Sequence, residues 1–242
     1  MSNYIYIFKS PKMNVTVIIL GVVLVILVYV LYKYYMIGST TLSTNASLKI
    51  ANPPITSLSD PKSVRYAYGI WIYVNTWDST IQKVIFNRAN NIRLYLDKLT
   101  PSLKCDVTMN DNTTKTVLIT DNFPLQKWVH IIVSFDNQFV DAYLDGKLVK
   151  SQRVYDKGST TTSPSMPAIP PDSTTPVILG GNNFDATVTK FNRWTKPMDP
   201  QTAWNEYMSG NGQGYLSKST STLSAKLAFF KDNVEYSKYS VF

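Results

Sequence analysis

Side chains able to perform chemistry are few in this chain. It has one histidine, His130, one cysteine, Cys105, and two glutamates, Glu206 and Glu235. One His and one Cys exclude the usual zinc ligand sets, and a lone cysteine excludes an internal disulfide. That cysteine usage suits a reducing compartment. Hard cations take oxygen ligands, and two clusters offer them: Asn110-Asp111-Asn112, and Asn182-Asn183 with Asp185. Calcium is therefore the one cofactor the residues could serve, through Asp111, Asn182, Asn183 and Asp185. Both clusters also read as turns, where Asn and Asp are favoured for backbone reasons alone. Neither assembles the ~6 oxygens of a full calcium site. His130 falls mid-strand on the face of Trp128 and Ile132, the place of a packed, hydrogen-bonded imidazole rather than a catalytic one.

The elements that must position these groups are strands. From Arg65 the chain alternates: Tyr66, Tyr68, Ile70, Ile72 and Val74 share one face, and Ala67, Gly69, Trp71 and Tyr73 the other. Further strand-like runs follow at 82–87, 91–97, 103–109, 116–120, 128–135, 139–144, 147–153, 177–179 and 186–194. Many short strands separated by turn residues, with almost no helix, predict an all-β sandwich. Asp145-Gly146 between two alternating runs predicts a two-residue type I′ hairpin, because both central residues of that turn need positive φ. One soluble helix is expected, with Asp199 as N-cap, Pro200 as first helical residue and an end near Gly210. Residues 156–176 hold five prolines among Ser and Thr, either a contact loop or a disordered insertion.

The other organising feature lies at the amino terminus. Met13 to Tyr32 is twenty residues without an ionisable Asp, Glu, Lys, Arg or His. At ~1.5 Å per residue such a helix matches the ~30 Å hydrocarbon core of a bilayer. Val15, Ile18, Leu20, Leu24, Leu27 and Leu31 would face lipid, with tyrosines and Phe8 flanking the run as interfacial anchors. Its apolar length exceeds the ~7–15 residues of a signal peptide. Lys9 and Lys12 precede the span and Lys33 follows it, so the positive-inside rule weakly favours a cytoplasmic N-terminus and leaves the reverse open. Asn45-Ala46-Ser47 and Asn112-Thr113-Thr114 fit the glycosylation sequon, which matters only in a secretory compartment. The division expected is a flank at 1–12, a transmembrane helix at 13–36, a Ser/Thr/Pro stalk at 37–63, a sandwich at 64–212 and a tail at 213–242. The tail could pack on the sandwich or order on a partner.

Charge narrows the partners. The chain has 24 basic and 16 acidic residues, and three of the lysines lie in the first 36 positions. The mild remaining excess is spread out rather than clustered, which argues against nucleic acid.

Five pieces, in order, resemble the concanavalin A-like, laminin-G-like lectin sandwich. They are Tyr68–Ile72, Trp128–Asp136 with its Trp-x-His start, the Ala142–Lys147 hairpin, Ile178–Gly181 followed by Phe184–Trp194, and Asp199–Met208. The resemblance implies a jelly-roll, all-β sandwich preceded here by a single transmembrane α-helix. Members bind sugars, bind proteins or hydrolyse glycans, so the fold alone does not choose. Hydrolases of this kind need two close carboxylates, and no glutamate occurs between Arg65 and Asn205. Asp136, Asp141 and Asp145 could substitute, but Asp136 and Asp145 read better as turn residues. The expectation is a protein that is not an enzyme. It docks on a partner protein through residues such as Pro167, Pro170, Trp77 and Phe184. The whole chain resembles a membrane-associated minor capsid protein of a large eukaryotic double-stranded DNA virus, tying an internal membrane to a shell of capsid proteins. Its partners would then be membrane lipid and those proteins. The alternative is a lectin or adhesion module, displayed on a cell-surface or secretory membrane, with Trp77 or Phe184 stacking on glycan.

Overall fold

The computed structural model describes residues 15–37, 39–158, 163–212, 226–231 and 234–240. The chain divides into two compact units, 1–38 and 39–242. In the first, α1 (Val15–Ile37) is a 23-residue helix, uncharged in sequence from Val15 to Tyr32. Ile18, Leu20, Leu24, Leu27 and Leu31 are all exposed. Described side chains in α1 run from 18 to 31, ~21 Å at the helical rise. Among the described residues no helix is long and apolar enough to cross a membrane. The side chain of Val15 and the flank at 1–12 lie outside the described residues.

The second unit is a sandwich of antiparallel strands. Its strands are β1 (Ser39–Ser47), β2 (Arg65–Val74), β3 (Lys83–Arg88), β4 (Ile92–Leu96), β5 (Leu103–Thr108), β6 (Thr114–Thr120), β7 (Trp128–Asp136), β8 (Phe139–Leu144), β9 (Lys147–Arg153), β10 (Val177–Leu179) and β11 (Ala186–Trp194). One sheet has the order β1-β11-β2-β7-β8-β9, the other β10-β3-β4-β5-β6. The facing sides interdigitate Tyr66, Tyr68, Ile70 and Ile72 of β2 and Val129, Ile131 and Val133 of β7 with Ile85, Leu94, Cys105 and Val117. Cys105 is fully buried, which pushes its thiol pKa far up and leaves it inert.

α2 (Pro200–Met208) starts as expected, the Asp199 carboxylate accepting from the Thr202 N–H. Below it a second small core on the outer side of the six-stranded sheet joins Ala67, Ile132, Tyr143, Trp194, Met198 and Ala203. Gly69 lets that core form: a Cβ there would come within 2.7 Å of the Trp194 ring. The hairpin between β8 and β9 turns on Asp145 (φ 48°) and Gly146 (φ 76°), the type I′ geometry read from the sequence.

The expected stalk at 37–63 is corrected by the fold. Residues 39–47 are β1, paired in register with β11, and Leu48 and Leu58 belong to the main core. Buried Arg193 fastens the bend at 59–60, donating from Nη1 to the Ser59 carbonyl and from Nη2 to that of Asp60 at 3.0 Å. Backbone pairing to a neighbour, rather than apolar alternation, makes this edge strand. In the expected tail, β12 (Lys226–Lys231) and β13 (Val234–Ser240) pair as a hairpin; residues 213–225 lie outside the described residues.

Candidate binding cleft

Strand register gives the sandwich two distinct ends. Ser39 pairs with Trp194, Trp194 with Ala67, Ala67 with Ser134 and Ser134 with Asp141. Ser39, Arg65, Asp136, Phe139 and Arg153 therefore share one end of the six-stranded sheet. Ser47, Val74, Trp128 and Lys147 share the other.

At the first end lies a cleft of about 560 Å³ lined by Val64, Asp136, Asn137, Gln138, Phe139, Met166, Pro167 and Ile169. Its three large apolar side chains point outward: Phe139 is 51% exposed, Met166 40% and Ile169 72%. One wall is the β7–β8 turn, where Asn137 takes φ 54° and donates its N–H to the Val64 carbonyl at 3.2 Å. Arg153 grips that turn through Nε and Nη2 to Gln138 Oε1, at 3.0 and 2.8 Å. Arg65 pairs with Asp136 at 3.0 Å.

The other wall is the proline-rich segment, and it is well held. Asn110 N–H donates to the Met166 carbonyl, Met166 N–H to Asn110 Oδ1, and Ala168 N–H to the Thr108 carbonyl, all at 2.9–3.1 Å. Arg88, only 1% exposed, ties this end together. Its guanidinium donates to the carbonyls of Pro61 (3.0 Å), Pro171 (2.7 Å), Asp172 (3.1 Å) and Thr175 (3.3 Å). The segment is thus fixed backbone that leaves Met166 and Ile169 outside. A cleft of this make-up can bind an apolar group; its one carboxylate, Asp136, is paired with Arg65.

At the far end the polar and aromatic groups serve the protein itself. Buried Lys83 donates to the carbonyls of Ile81 (3.1 Å) and Lys98 (3.0 Å), and its ammonium sits 3.8 Å from the centre of the Trp77 ring. Burial pushes its pKa down. Trp77 is accordingly half-buried with one face taken. Phe184 is corrected outright: it is 1% exposed and part of the core, so it is no contact residue. Of the two prolines singled out in the sequence, Pro167 lines the cleft and Pro170 is buried.

The two calcium candidate clusters lie at opposite ends of the sandwich, Asp111 at the cleft end and Asn182, Asn183 and Asp185 at the far end. Asp111, on the β5–β6 turn, accepts from the N–H and hydroxyl of Thr113. Asp185, after β10, accepts from Asn75 and Thr76, both at 3.0 Å. These hydrogen bonds hold both carboxyls below the usual range. Asn182 turns its amide to the Gln82 carbonyl, and Asn183 takes a left-handed turn at φ 60°. Among the described residues no group of three or more His, Cys, Asp or Glu could hold a metal.

Two further carboxylates are engaged, whereas Asp141 keeps a buried Oδ1 without a hydrogen-bond partner. Asp145 Oδ1 accepts from the His130 N–H at 2.9 Å. On the outer side of the five-stranded sheet, a groove of about 420 Å³ carries a network that the sequence reading missed. There Asp106 accepts from Arg93 at Nε and Nη2, from the Tyr95 hydroxyl and from Thr116 Oγ1. All of its strong acceptor sites are used. His130 is 3% exposed and stacks on Trp71, ring centroids 4.8 Å apart. Burial, with the charge of Lys190 second, pushes its pKa down to about 3, so it stays neutral.

The residues that sequence reasoning missed are Phe139, Met166 and Ile169 in the cleft and Arg88 and Lys83 beneath the two ends. The one available signal was the position of Met166 and Ile169 beside Pro167.

The model of the concanavalin A-like lectin/glucanases superfamily matches residues 42–203. A search of curated protein sequences returns no match. Among solved structures, the receptor-binding domain of botulinum neurotoxin D is 12% identical, with 70% of this chain and 45% of that one covered at a TM-score of 0.52. The binding domain of Paraclostridial Mosquitocidal Protein 1 is 11% identical, with 71% and 47% covered at 0.50. This chain spans less than half the length of either structure. At these identities the likeness is one of fold.

Proposed function

We propose, from the premise that this chain belongs to the concanavalin A-like lectin/glucanases superfamily, that it is a binding module held at a membrane and not a hydrolase. One observation carries the binding reading. Phe139, Met166 and Ile169 stand exposed around a firmly built cleft whose one carboxylate, Asp136, is paired with Arg65, while Asp106, Asp111, Asp145 and Asp185 are hydrogen-bonded within the fold. A glycosidase needs two free carboxyls flanking the bond to be cleaved. Incubation with glucans and other polysaccharides is expected to release no reducing ends; release would overturn the non-catalytic reading.

The membrane reading is supported by the uncharged run from Met13 to Tyr32 in the sequence, whose part from Val15 onward is helical and spans ~27 Å against a hydrocarbon core of ~30 Å. The full chain, reconstituted in liposomes and washed at alkaline pH, is expected to float with the lipid. Recovery in the soluble fraction would overturn anchoring. The narrower form of the reading is a minor capsid protein that joins an internal membrane to a viral shell. It requires stoichiometric presence in purified particles, and absence there ends it.

A glycan reading has an observation of its own. The groove over the five-stranded sheet presents Asn87, Asn90, Thr108 and Thr114 beside the Arg93–Asp106 pair. Binding on a glycan array that is lost in Asn87→Ala would favour it over the protein-docking form.

A further inference from the structure

We infer that the C-terminal hairpin, β12 and β13, adds to the open edge of β1 and so lengthens the six-stranded sheet. The path of the chain carries the inference. α2 begins against the β8–β9 hairpin, where a Cβ on Gly146 would come within 3.0 Å of Trp204. Tyr207 then stacks on Trp71 of β2, ring centroids 5.5 Å apart. Beyond the helix, Lys190 of β11 donates from Nζ to the carbonyls of Ser209 (3.1 Å) and Gly210 (2.6 Å). Thr189 Oγ1 donates to the Asn211 carbonyl at 2.8 Å. Asn211 and Gly212 finally line a hollow of about 460 Å³ with Thr41, Thr44 and Asn45 of β1. Residues 204–212 thus cross the outer side of the sheet strand by strand and arrive at β1.

There the sheet has an open side. Among the described residues β1 is paired with a strand on one side only, β11, and β12 and β13 pair only with each other. A two-stranded hairpin is at best marginal in water, and an open edge is a template for further strands. Charge selects this edge. The hairpin carries Lys226, Lys231 and Lys238 against Glu235. β9, the other edge of the same sheet, carries Lys147, Lys150 and Arg153, and such charges guard an edge against pairing. β1 reads Ser-Thr-Thr-Leu-Ser-Thr-Asn-Ala-Ser, with no charge and no proline. Distance favours the same edge. β9 stands five strand spacings from β1, ~24 Å, and β6, the open edge of the other sheet, packs beside β9. Added to β1, the hairpin turns an edge strand into an internal one.

The test uses the full chain in detergent micelles. Cys105 is fully buried, so spin labels attach only at introduced cysteines. Thr44→Cys on β1 with Ser237→Cys on β13 is expected to give a narrow distance distribution below ~20 Å, up to two strand spacings plus the label arms. Ser151→Cys on β9 with Ser237→Cys is expected to read above ~25 Å. Broad distributions for both pairs, or a short distance to β9, overturn the inference. A short distance in a mixture of chains that each carry one label also overturns it, in favour of a hairpin exchanged between two copies. Amide hydrogen exchange on the unsubstituted chain gives a second reading that no labelled variant can spoil. The β1 amides that face away from β11 are expected to exchange roughly tenfold or more slowly than the outward amides of β9, which stay on an open edge. Equal rates for the two strands overturn the pairing.

Discussion

The two ends of the sandwich are built on the same device and put it to opposite uses. Each has a buried cation that gathers backbone carbonyls: Arg88 at the cleft end, Lys83 at the far end. At the far end the grip closes inward, because Trp77 covers the ammonium and Phe184 fills the core. At the cleft end it closes only the backbone, and the side chains of Met166 and Ile169 are left outside. Aromatic content therefore does not locate the contact surface. What locates it is apolar side chains on backbone that is already satisfied.

The sharpest way to break this comparison is to remove the grips one at a time. Arg88→Met strands four carbonyls in a dry site, and the expected loss is ~3–5 kcal/mol in urea unfolding. Lys83→Met strands fewer, so ~1–2 kcal/mol is expected. Equal losses would mean the ends are alike after all. Acid should probe the far half next. His130 has its pKa lowered to about 3 in the fold, while the unfolded imidazole titrates near ~6.5. Its contribution is present above pH ~6.5 and is lost as the pH falls toward 3, ~1.4 kcal/mol per unit, or ~2 kcal/mol at pH 5. His130→Phe, which keeps a ring beside Trp71, should flatten that part of the stability–pH curve; an unchanged curve would place the acid sensitivity elsewhere. The smallest expected effect is the most informative one. Ile169→Ser, at a side chain 72% exposed, should change stability by no more than ~0.5 kcal/mol. A Tm drop of many degrees would show that Ile169 packs rather than binds.

Most of the sandwich was legible because its strands alternate. Tyr66 to Val74 and Trp128 to Phe135 could be assigned from pattern, and the Asp145-Gly146 turn from its φ requirement. β1 was not legible: Ser39–Ser47 has no apolar alternation, and its order comes from a ladder to β11 that is more than a hundred residues away in sequence. The cleft was legible only at Pro167. Phe184 follows two asparagines and reads as a loop aromatic, yet the turn at Asn183 directs it into the core. Arg88 and Lys83 read as surface charges because a sequence does not show which carbonyls will converge on them.

The direction of β1 has a mechanical consequence. The strand runs from the cleft end, where the helix joins it, toward the far end, antiparallel to β11. A tug through Gly38, directed away from that end, acts along the strand axis. It loads the backbone pairs from Ser39–Trp194 to Ser47–Thr187 in shear, together, with buried Leu48 as a peg behind them. A pull across the sheet would instead peel them open one by one. The attachment point thus makes an edge strand of serines and threonines into a fastening that resists force without a single large apolar contact along its first three residues.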